Sequence, residues 1–219
     1  MLGTVDSSAR KAPPSVPDWV IVVMEIAAYV ITTIPLRIYA RARRRLPKTL
    51  NKLRGGSLLI SNHQSMADPF VILAHLPFLA FLHMLPIRFP TDDERFHHSY
   101  LNSRFFPLMT LLGCYSIGKT NQEKMLALFY TRQLLEKGYS VCLFPEGQIA
   151  QEKDVQALQK GVEFLKNAAR SVIFVRMHGF YEKKNASFLF KKRSITFGEV
   201  LSGPLTMNLE EMHAYLNTL

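Results

Sequence analysis

The sequence predicts an α/β fold, a mixed, largely parallel sheet flanked by helices, with an N-terminal membrane-associating helix in front of it. Short apolar runs typical of buried strands alternate with segments of helical periodicity along most of the chain, which is the pattern of a sheet with crossover helices. A longer apolar stretch near the N-terminus is followed directly by arginines. We therefore predict a disordered N-terminus at 1–17, a membrane-associating helix with a basic collar at 18–45, and one folded domain at 46–219.

The N-terminal apolar stretch, Trp19 to Leu36, is predicted to be a helix that lies in the membrane interface. Its helical length of about 27 Å falls just short of a bilayer core of about 30 Å. A carboxylate at the bilayer centre costs about 3 kcal/mol, which a polar stripe facing the domain or the head groups would largely avoid. A spanning helix with the domain on the cytoplasmic side is one alternative, and a soluble core helix ended by Pro35 is another. The stripe recurs at helical spacing: Glu25, Tyr29, Thr32 and Thr33.

The net charge of +10 on 219 residues predicts an anionic partner. Clusters of basic residues attract either nucleic acid or anionic lipid head groups. The first cluster directly follows the apolar stretch, and the chain has no helix-turn-helix, zinc-finger or RNA-binding signature, so we expect a membrane surface and no nucleic acid. The two clusters are Arg37, Arg41, Arg43, Arg44, Arg45, Lys48, Lys52 and Arg54, and Lys183, Lys184, Lys191, Lys192 and Arg193.

The strands of the domain are predicted from short apolar runs bounded by turn residues. Two of these runs contain Cys114 and Cys142, which lack metal-ligand spacing and are expected to be small buried hydrophobes in a reducing compartment. The predicted strands are Leu58–Ser61, Phe78–Leu85, Cys114–Ile117, Tyr139–Phe144, Val172–Met177 and Ser194–Phe197.

Helices are predicted where periodicity coincides with capping residues. Asp68 suits the N-cap and Pro69 the first position of a helix that runs to His75. Asn121 can cap a helix from Asn121 to Lys137, which Gly138 can end. The other predicted helices are Tyr100–Leu112, Val155–Ala169 and Leu209–Leu216, and a charged loop is predicted at Thr91–Arg95.

Two polar motifs follow predicted strands. The first, Asn62 to Pro69, contains the pattern H-x-x-x-x-D, and the second is Phe144-Pro145-Glu146-Gly147. Open α/β sheets build their sites at the carboxyl ends of strands. We therefore expect a histidine, two carboxylates and a glycine turn to meet at one edge of the sheet.

The first motif has the residue types of a general base and its orienting acid. On one helix His63 and Asp68 would point about 140° apart, so they can pair only across a strand-to-helix turn. Asp68 would then accept from one ring nitrogen, and the other nitrogen could take a proton from a hydroxyl. The alternatives are a loop histidine at 63, a simple N-cap at 68 and a simple turn glutamate at 146.

Together, Asn62-His63 through Asp68 and Phe144-Pro145-Glu146-Gly147 resemble the glycerolipid acyltransferase family. Its best-known members acylate 1-acylglycerol-3-phosphate to give phosphatidic acid. The resemblance covers roughly residues 45 to 205 and marks 46–219 as an acyltransferase domain. It implies that His63 and Asp68 are catalytic and that Pro145, Glu146 and Gly147 shape the acceptor site.

The resemblance also implies a phosphate-binding element of the form G-x-x-x-x-x-R. The segment from Gly113 to Lys119 fits it with lysine in place of arginine, so Lys119 is the predicted phosphate ligand, with a surface lysine at the start of a helix as the alternative. The second motif departs from the family by continuing with Gln148-Ile149 instead of a small hydroxyl residue and arginine. This departure weakens the case for lysophosphatidate, and we hypothesise that Arg176 replaces the lost cationic contact.

The sequence thus predicts a membrane-associated O-acyltransferase. It would move a fatty acyl chain from acyl-CoA or acyl carrier protein to a hydroxyl of a lysophospholipid, with 1-acylglycerol-3-phosphate as the first expectation. No cofactor beyond this co-substrate is predicted, and no metal, because no histidine has ligand spacing. The alternatives are another amphiphilic acceptor such as an aminolipid, a glycolipid or a different lysophospholipid, a thioesterase, and a non-catalytic membrane-binding scaffold.

Overall fold

The computed structural model describes residues 16–92, 108–149, 155–180, 192–203 and 205–219. Most of the predicted helix Tyr100–Leu112 and of the predicted loop Thr91–Arg95 lies outside these residues. The described end of that helix is a helical turn at residues 108–111. The α-helices are α1 Asp18–Ala40, α2 Asp68–His75, α3 Phe78–Met84, α4 Asn121–Glu136, α5 Gly161–Lys166 and α6 Leu209–Thr218, with a short 3₁₀ helix at Lys48–Lys52.

The strands form one eight-stranded mixed sheet, which confirms the predicted fold class. Its order is β1-β7-β6-β2-β5-β3-β4, with β8 also paired to β6. Strand β2 lies parallel to both β5 and β6, while β7 and β8 run antiparallel to β6. The strands are β1 Arg43–Arg45, β2 Ser57–Ser61, β3 Ile87–Thr91, β4 Cys114–Ser116, β5 Ser140–Leu143, β6 Ser171–His178, β7 Ser194–Phe197 and β8 Leu201–Ser202.

The three central strands are buried on both faces. Side chains alternate across a sheet, so neighbouring residues of β2 enter different cores. Leu59 packs with α1, α2 and α3 on one face, while Leu58 packs with α4, α5 and α6 on the other. These continuous apolar runs are typical of parallel strands covered by helices. The sheet therefore separates α1 from α4.

Two element predictions were wrong. Phe78 to Leu85 was predicted as a strand, but Phe78–Met84 is helix α3, whose buried residues Ala80, Phe81 and Met84 recur at helical spacing. The strand lies just after it, at Ile87–Thr91. Of the predicted helix Val155–Ala169, only Gly161–Lys166 is helical. Before it, the Gln159 N–H donates to the Pro145 carbonyl at 2.9 Å, which ties this segment to the second motif instead.

The predicted caps were also displaced by one residue. Helix α2 begins at Asp68 itself, and Ala67 occupies the N-cap without a side-chain hydrogen bond. Helix α4 is capped by Thr120, not Asn121, because Thr120 and Glu123 form a reciprocal capping box. The carboxylate of Asp68 therefore does not cap α2 and turns back toward the preceding loop.

Helix α1 packs its polar stripe against the domain. Glu25, Tyr29 and Thr33 are buried, and Tyr29 Oη donates to the Leu76 carbonyl at 2.7 Å. Both carboxyl oxygens of Glu25 accept from the Ile87 N–H, at 3.1 and 3.2 Å. Burial is the larger effect and raises the pKa of Glu25 to about 8. The opposite face exposes large apolar side chains: Trp19, Val23, Val30, Ile31, Ile34 and Ile38.

Helix α1 continues through Pro35 to Ala40, four residues beyond the predicted end at Leu36. It is long and apolar enough to cross a membrane by length and composition. Its polar stripe faces the domain, and its apolar face is exposed.

Candidate active site

Both polar motifs lie at the carboxyl ends of neighbouring parallel strands, as the sequence predicts. Strand β2 leads into the first motif and β5 into the second, and Ile60 of β2 pairs with Leu143 of β5. The His63 ring stacks on the Phe144 ring with centroids 4.3 Å apart. The backbone N–H of His63 also donates to Glu146 Oε1 at 3.4 Å. The sheet therefore brings the histidine and both carboxyl groups into one cluster.

His63 and Asp68 form a direct pair across the strand-to-helix turn, with 3.0 Å between His63 Nδ1 and Asp68 Oδ2. Asp68 is fully buried. The same Oδ2 accepts from the backbone N–H groups of Gln64 and Ser65 at 2.5 and 2.8 Å, and Ser65 Oγ donates to Oδ1 at 2.6 Å. Because Asp68 Oδ2 acts as a hydrogen-bond acceptor in all of these contacts, His63 Nδ1 must carry the ring proton that it donates to Oδ2. The other ring nitrogen, Nε2, is then the basic one.

Two buried amides, which sequence reasoning missed, hold the first motif against the end of β6. Asn62 exchanges two hydrogen bonds with the backbone of Met177, donating at 2.9 Å and accepting at 2.7 Å. Gln64 accepts from the Phe180 N–H at 3.0 Å. In the sequence both amides appear only as polar residues on either side of His63.

Glu146 is buried and poorly hydrogen-bonded. Within the described residues its Oε2 has no hydrogen-bond partner, and Oε1 has the long contact with the His63 N–H. Burial therefore raises the pKa of Glu146 to about 7, against the opposing effect of hydrogen bonds from the backbone and of the Arg176 charge.

Gly147 adopts a backbone conformation that favours glycine, with φ +71°. A Cβ atom at this position would overlap Nε2 of Gln159. The Gln159 backbone is fixed in turn by its hydrogen bond to Pro145. The glycine thus allows the second motif and the segment before α5 to approach each other closely.

A cavity of about 290 Å³ opens beside the His63 ring. It runs between the ends of β3, β4 and β5 and the inner faces of α4 and α5, and its lining is mostly apolar. Its walls include His63, Phe89, Leu128, Phe144, Gly147 and Val162. This shape suits a ligand with an apolar chain.

The predicted substrate-binding residues are distributed unevenly around this cavity. Pro145 and Gly147 line it, whereas Glu146 and Lys119 are not among the residues that line it. The lysine in the wall is Lys124, which sequence reasoning treated as one more helix residue. The role of Lys119 in phosphate binding stays a prediction.

Arg176 lies in β6 away from the cavity wall and is buried. Its Nη1 donates to Asn217 Oδ1 at 2.8 Å. Its replacement of the lost arginine contact stays a hypothesis. Among the described residues, no group of three His, Cys, Asp or Glu side chains could hold a metal ion.

Comparison with known proteins agrees with this geometry. A family model described as Acyltransferase matches residues 37–178, which contain both motifs. The search of curated proteins found no match. The fold is similar to the crystal structure of the 1-acyl-sn-glycerophosphate (LPA) acyltransferase PlsC from Thermotoga maritima, with a TM-score of 0.52 and 16% sequence identity over 90% of this chain and 74% of that chain. Because the family model spans more than half of the sequence, the chain belongs to the acyltransferase family.

Proposed function

We propose that this protein is a membrane-associated O-acyltransferase that moves a fatty acyl chain from a coenzyme A or acyl carrier protein thioester to a lysophospholipid hydroxyl. The acceptor we propose is 1-acylglycerol-3-phosphate, with phosphatidic acid as the product. The observation that carries this proposal is the His63–Asp68 pair beside an apolar cavity of about 290 Å³. A base next to an apolar chain site suits the transfer of a fatty acyl group.

In the proposed reaction His63 Nε2 accepts the proton of the acceptor hydroxyl while the hydroxyl oxygen attacks the thioester carbonyl carbon. Asp68 stabilises the resulting imidazolium through Nδ1. When the tetrahedral intermediate collapses, the carbon–sulfur bond breaks and the imidazolium returns the proton to the leaving thiolate. The products are an ester and a free thiol, and the enzyme is unchanged.

The acceptor is proposed to bind at the rim of the second motif. Pro145 and Gly147 would form the wall, and Oε2 of Glu146 would accept a hydrogen bond from an acceptor hydroxyl if a small movement exposed it. Lys119 remains our proposed phosphate ligand. Lys124, which lines the same cavity, offers a second positive charge for a phosphate.

Membrane association is proposed to occur through the outer face of α1 and part of the basic collar. Some residues of the collar bind the folded domain instead. Near the end of α2, Arg37 donates to the Ala74 carbonyl at 2.6 Å, and Arg44 donates to the His75 carbonyl at 3.2 Å. Arg43 and Arg45 are exposed instead and can meet anionic head groups. The domain would then lie on the cytoplasmic side of the membrane.

The test is thiol release from palmitoyl-CoA and palmitoyl–acyl carrier protein by purified protein in detergent, against a panel of lysolipids. His63→Ala should abolish release, whereas the matched control His83→Ala, at an exposed histidine, should retain it. Release that needs an acceptor supports the proposal, and the best acceptor identifies the substrate. Release without any acceptor would indicate a thioesterase. If no thiol is released from either donor, the result would favour a non-catalytic binding scaffold.

A further inference from the structure

Gln159 lies where the segment before α5 meets the second motif, and its main chain is bound on both sides. Its backbone N–H donates to the Pro145 carbonyl at 2.9 Å, and its own carbonyl accepts from the Val162 N–H at 3.2 Å. Because both backbone groups are bound, the direction in which the side chain leaves the main chain is set. The Gln159 side chain is exposed, and the residue lines the same cavity as His63.

The amide end of Gln159 lies against Gly147. A Cβ atom added at Gly147 would come within 2.0 Å of Gln159 Nε2 and 3.6 Å of Oε1, so the glycine leaves the space that the amide occupies. The Gly147 N–H donates to the Phe144 carbonyl at 3.2 Å, and the Phe144 ring stacks on His63. The second motif therefore connects the amide to the surroundings of the base.

The side-chain amide of Gln159 differs from those of the neighbouring glutamines. Gln148 Nε2 donates to Gln156 Oε1 at 2.7 Å, so these two side chains bind each other. The Gln159 amide has no hydrogen-bond partner in the part of the chain that the structure describes. An amide side chain offers two N–H donors and one carbonyl acceptor. Those of Gln159 are available to a ligand.

The amide stands at the rim of the cavity and not in its interior. Gln159 is exposed, whereas Val162 and Leu165, which follow it on α5 and also line the cavity, are buried. The acceptor is proposed to bind at this rim, along Gly147, and the acyl chain of the donor would fill the apolar interior. The Gln159 amide therefore faces the acceptor.

A 1-acylglycerol-3-phosphate acceptor brings three polar groups to this rim. Its free hydroxyl must reach His63 Nε2 to lose a proton, and its phosphate carries the charge that a lysine binds. The third group is the ester carbonyl that joins the existing chain to the glycerol, which is uncharged and can only accept hydrogen bonds. A neutral amide donor suits this group, because it adds no charge and does not titrate.

We propose that the side-chain amide of Gln159 donates to the ester carbonyl of the lysolipid and so selects acceptors that already carry an ester-linked chain. The proposal rests on the acyl transfer proposed above and adds a residue that determines its specificity. Gly147 contributes by leaving room for the amide. With the ester held by Gln159, the hydroxyl on the adjacent carbon lies toward His63.

The test compares two acceptors that differ only at this carbonyl, 1-oleoylglycerol-3-phosphate and its 1-O-oleyl ether analogue, with palmitoyl-CoA as donor. The wild-type KM should be about fivefold lower for the ester, which is the contribution of one neutral hydrogen bond. Gln159→Leu should raise the ester KM to that of the ether and leave the ether KM, the donor KM and kcat within about twofold.

Two further variants sharpen this result. Gln159→Glu keeps the shape of the side chain but has no N–H donor, so it should also lose the preference for the ester. The matched control is Gln133→Leu, at an exposed glutamine of α4, which should behave as wild type with both acceptors.

A double-mutant cycle with Gly147→Ala tests whether the glycine acts through Gln159. Gly147→Ala should raise the ester KM in the wild-type background and have no further effect in Gln159→Leu, because the amide that it would displace is already absent. Independent, additive effects of the two substitutions would overturn the proposed coupling of the glycine to the amide.

Calorimetric titration of the two acceptors without a donor separates this proposal from the proposed reaction. Tighter binding of the ester than of the ether by wild type, with equal binding by Gln159→Leu, supports the proposal even if neither donor turns over. An equal rise in both acceptor KM values in Gln159→Leu would overturn it and leave acyl transfer intact. So would a fall in kcat with unchanged acceptor KM, because the amide would then act on the donor thioester.

Discussion

Asp68 and Glu146 are both buried carboxyl groups at the same edge of the sheet, yet their surroundings differ sharply. Asp68 accepts four hydrogen bonds, from His63, Gln64 and twice from Ser65. Glu146 has a long contact to the backbone N–H of His63 and an interaction with the backbone of Gln156, and its second oxygen has no partner within the described residues. Burial raises the pKa of Glu146 to about 7.

The difference indicates two roles for one kind of side chain. A carboxylate that accepts from two backbone N–H groups and a hydroxyl is fixed in place, which suits a group that must orient an imidazole. A carboxyl with an unused oxygen has capacity left for a ligand. The same edge of the sheet thus holds one carboxylate whose oxygens are all hydrogen-bonded, Asp68, and one with an unused oxygen, Glu146.

Changing Asp68 should have the largest effect on turnover. In Asp68→Asn the amide no longer supplies an anion to stabilise the imidazolium, and one of its two atoms becomes a donor facing existing donors. We expect kcat to fall about 10³-fold. The measurement is kcat with palmitoyl-CoA and the best acceptor, with circular dichroism to confirm folding. A fall below about tenfold in a folded variant would contradict the orienting role of Asp68.

Changing Glu146 should have a smaller effect that depends on pH. Its pKa in the folded state, about 7, exceeds the ordinary value of 4.5, so ionisation destabilises the folded protein increasingly from pH 4.5 to 7 and fully above that. The neutral amide in Glu146→Gln removes this cost. The variant should be more stable than wild type by roughly 2 kcal/mol at pH 8, with no gain at pH 4.5.

Denaturant unfolding at the two pH values measures this gain. Glu136→Gln, at an exposed glutamate of α4, is the matched control for removing a negative charge. Because the amide in Glu146→Gln retains an oxygen for an acceptor hydroxyl, activity should fall less than in Glu146→Ala. A gain in stability that is equal at both pH values would argue against an ionisation cost.

The sequence predicted the surroundings of Asp68 better than those of Glu146. His63 and Asp68 are five residues apart, so a strand-to-helix turn was enough to predict their pairing. The clamp on this loop was not predictable, because Asn62 binds Met177, 115 positions away. Likewise, which way Glu146 turns depends on the packing of the segment before α5, which was predicted as helix and is not.

The helices divide in the same way, into those that local signals predict and those that only packing decides. Helix α4 was predicted to within one residue at each end because its periodicity and its end signals are encoded locally, although its cap is Thr120 and not Asn121. Helix α3 was predicted as a strand because a short run of apolar residues has no distinctive period, and only packing decides between the two structures.

A substitution at Gly147 tests the backbone next to Glu146, and Gly203 is the matched control. Both have positive φ, +71° and +89°, so alanine strains the backbone at either position by about 1 kcal/mol. Only at Gly147 would the added Cβ also displace Gln159, whereas nothing lies within 4 Å at Gly203. The atom that must move is the amide end of the flexible and exposed Gln159 side chain, so Gly147→Ala should cost about as much unfolding free energy as Gly203→Ala but should raise the acceptor KM. An unchanged KM in a folded Gly147→Ala variant would mean that the close approach of Gln159 is not needed for acceptor binding.

Ser65→Ala should produce the smallest effect, because it removes one of the hydrogen bonds that fix Asp68 and leaves the others. The lost bond joins Ser65 Oγ to Asp68 Oδ1 at 2.6 Å, and Oδ2 keeps its three donors. A hydrogen bond to a charged group contributes about 1.5 kcal/mol, so kcat should fall about tenfold at most and KM should stay unchanged. Ser65→Thr keeps the hydroxyl and should restore most of the rate. If Ser65→Ala abolished turnover as completely as His63→Ala while the protein remained folded, the result would indicate that Ser65 acts as a nucleophile.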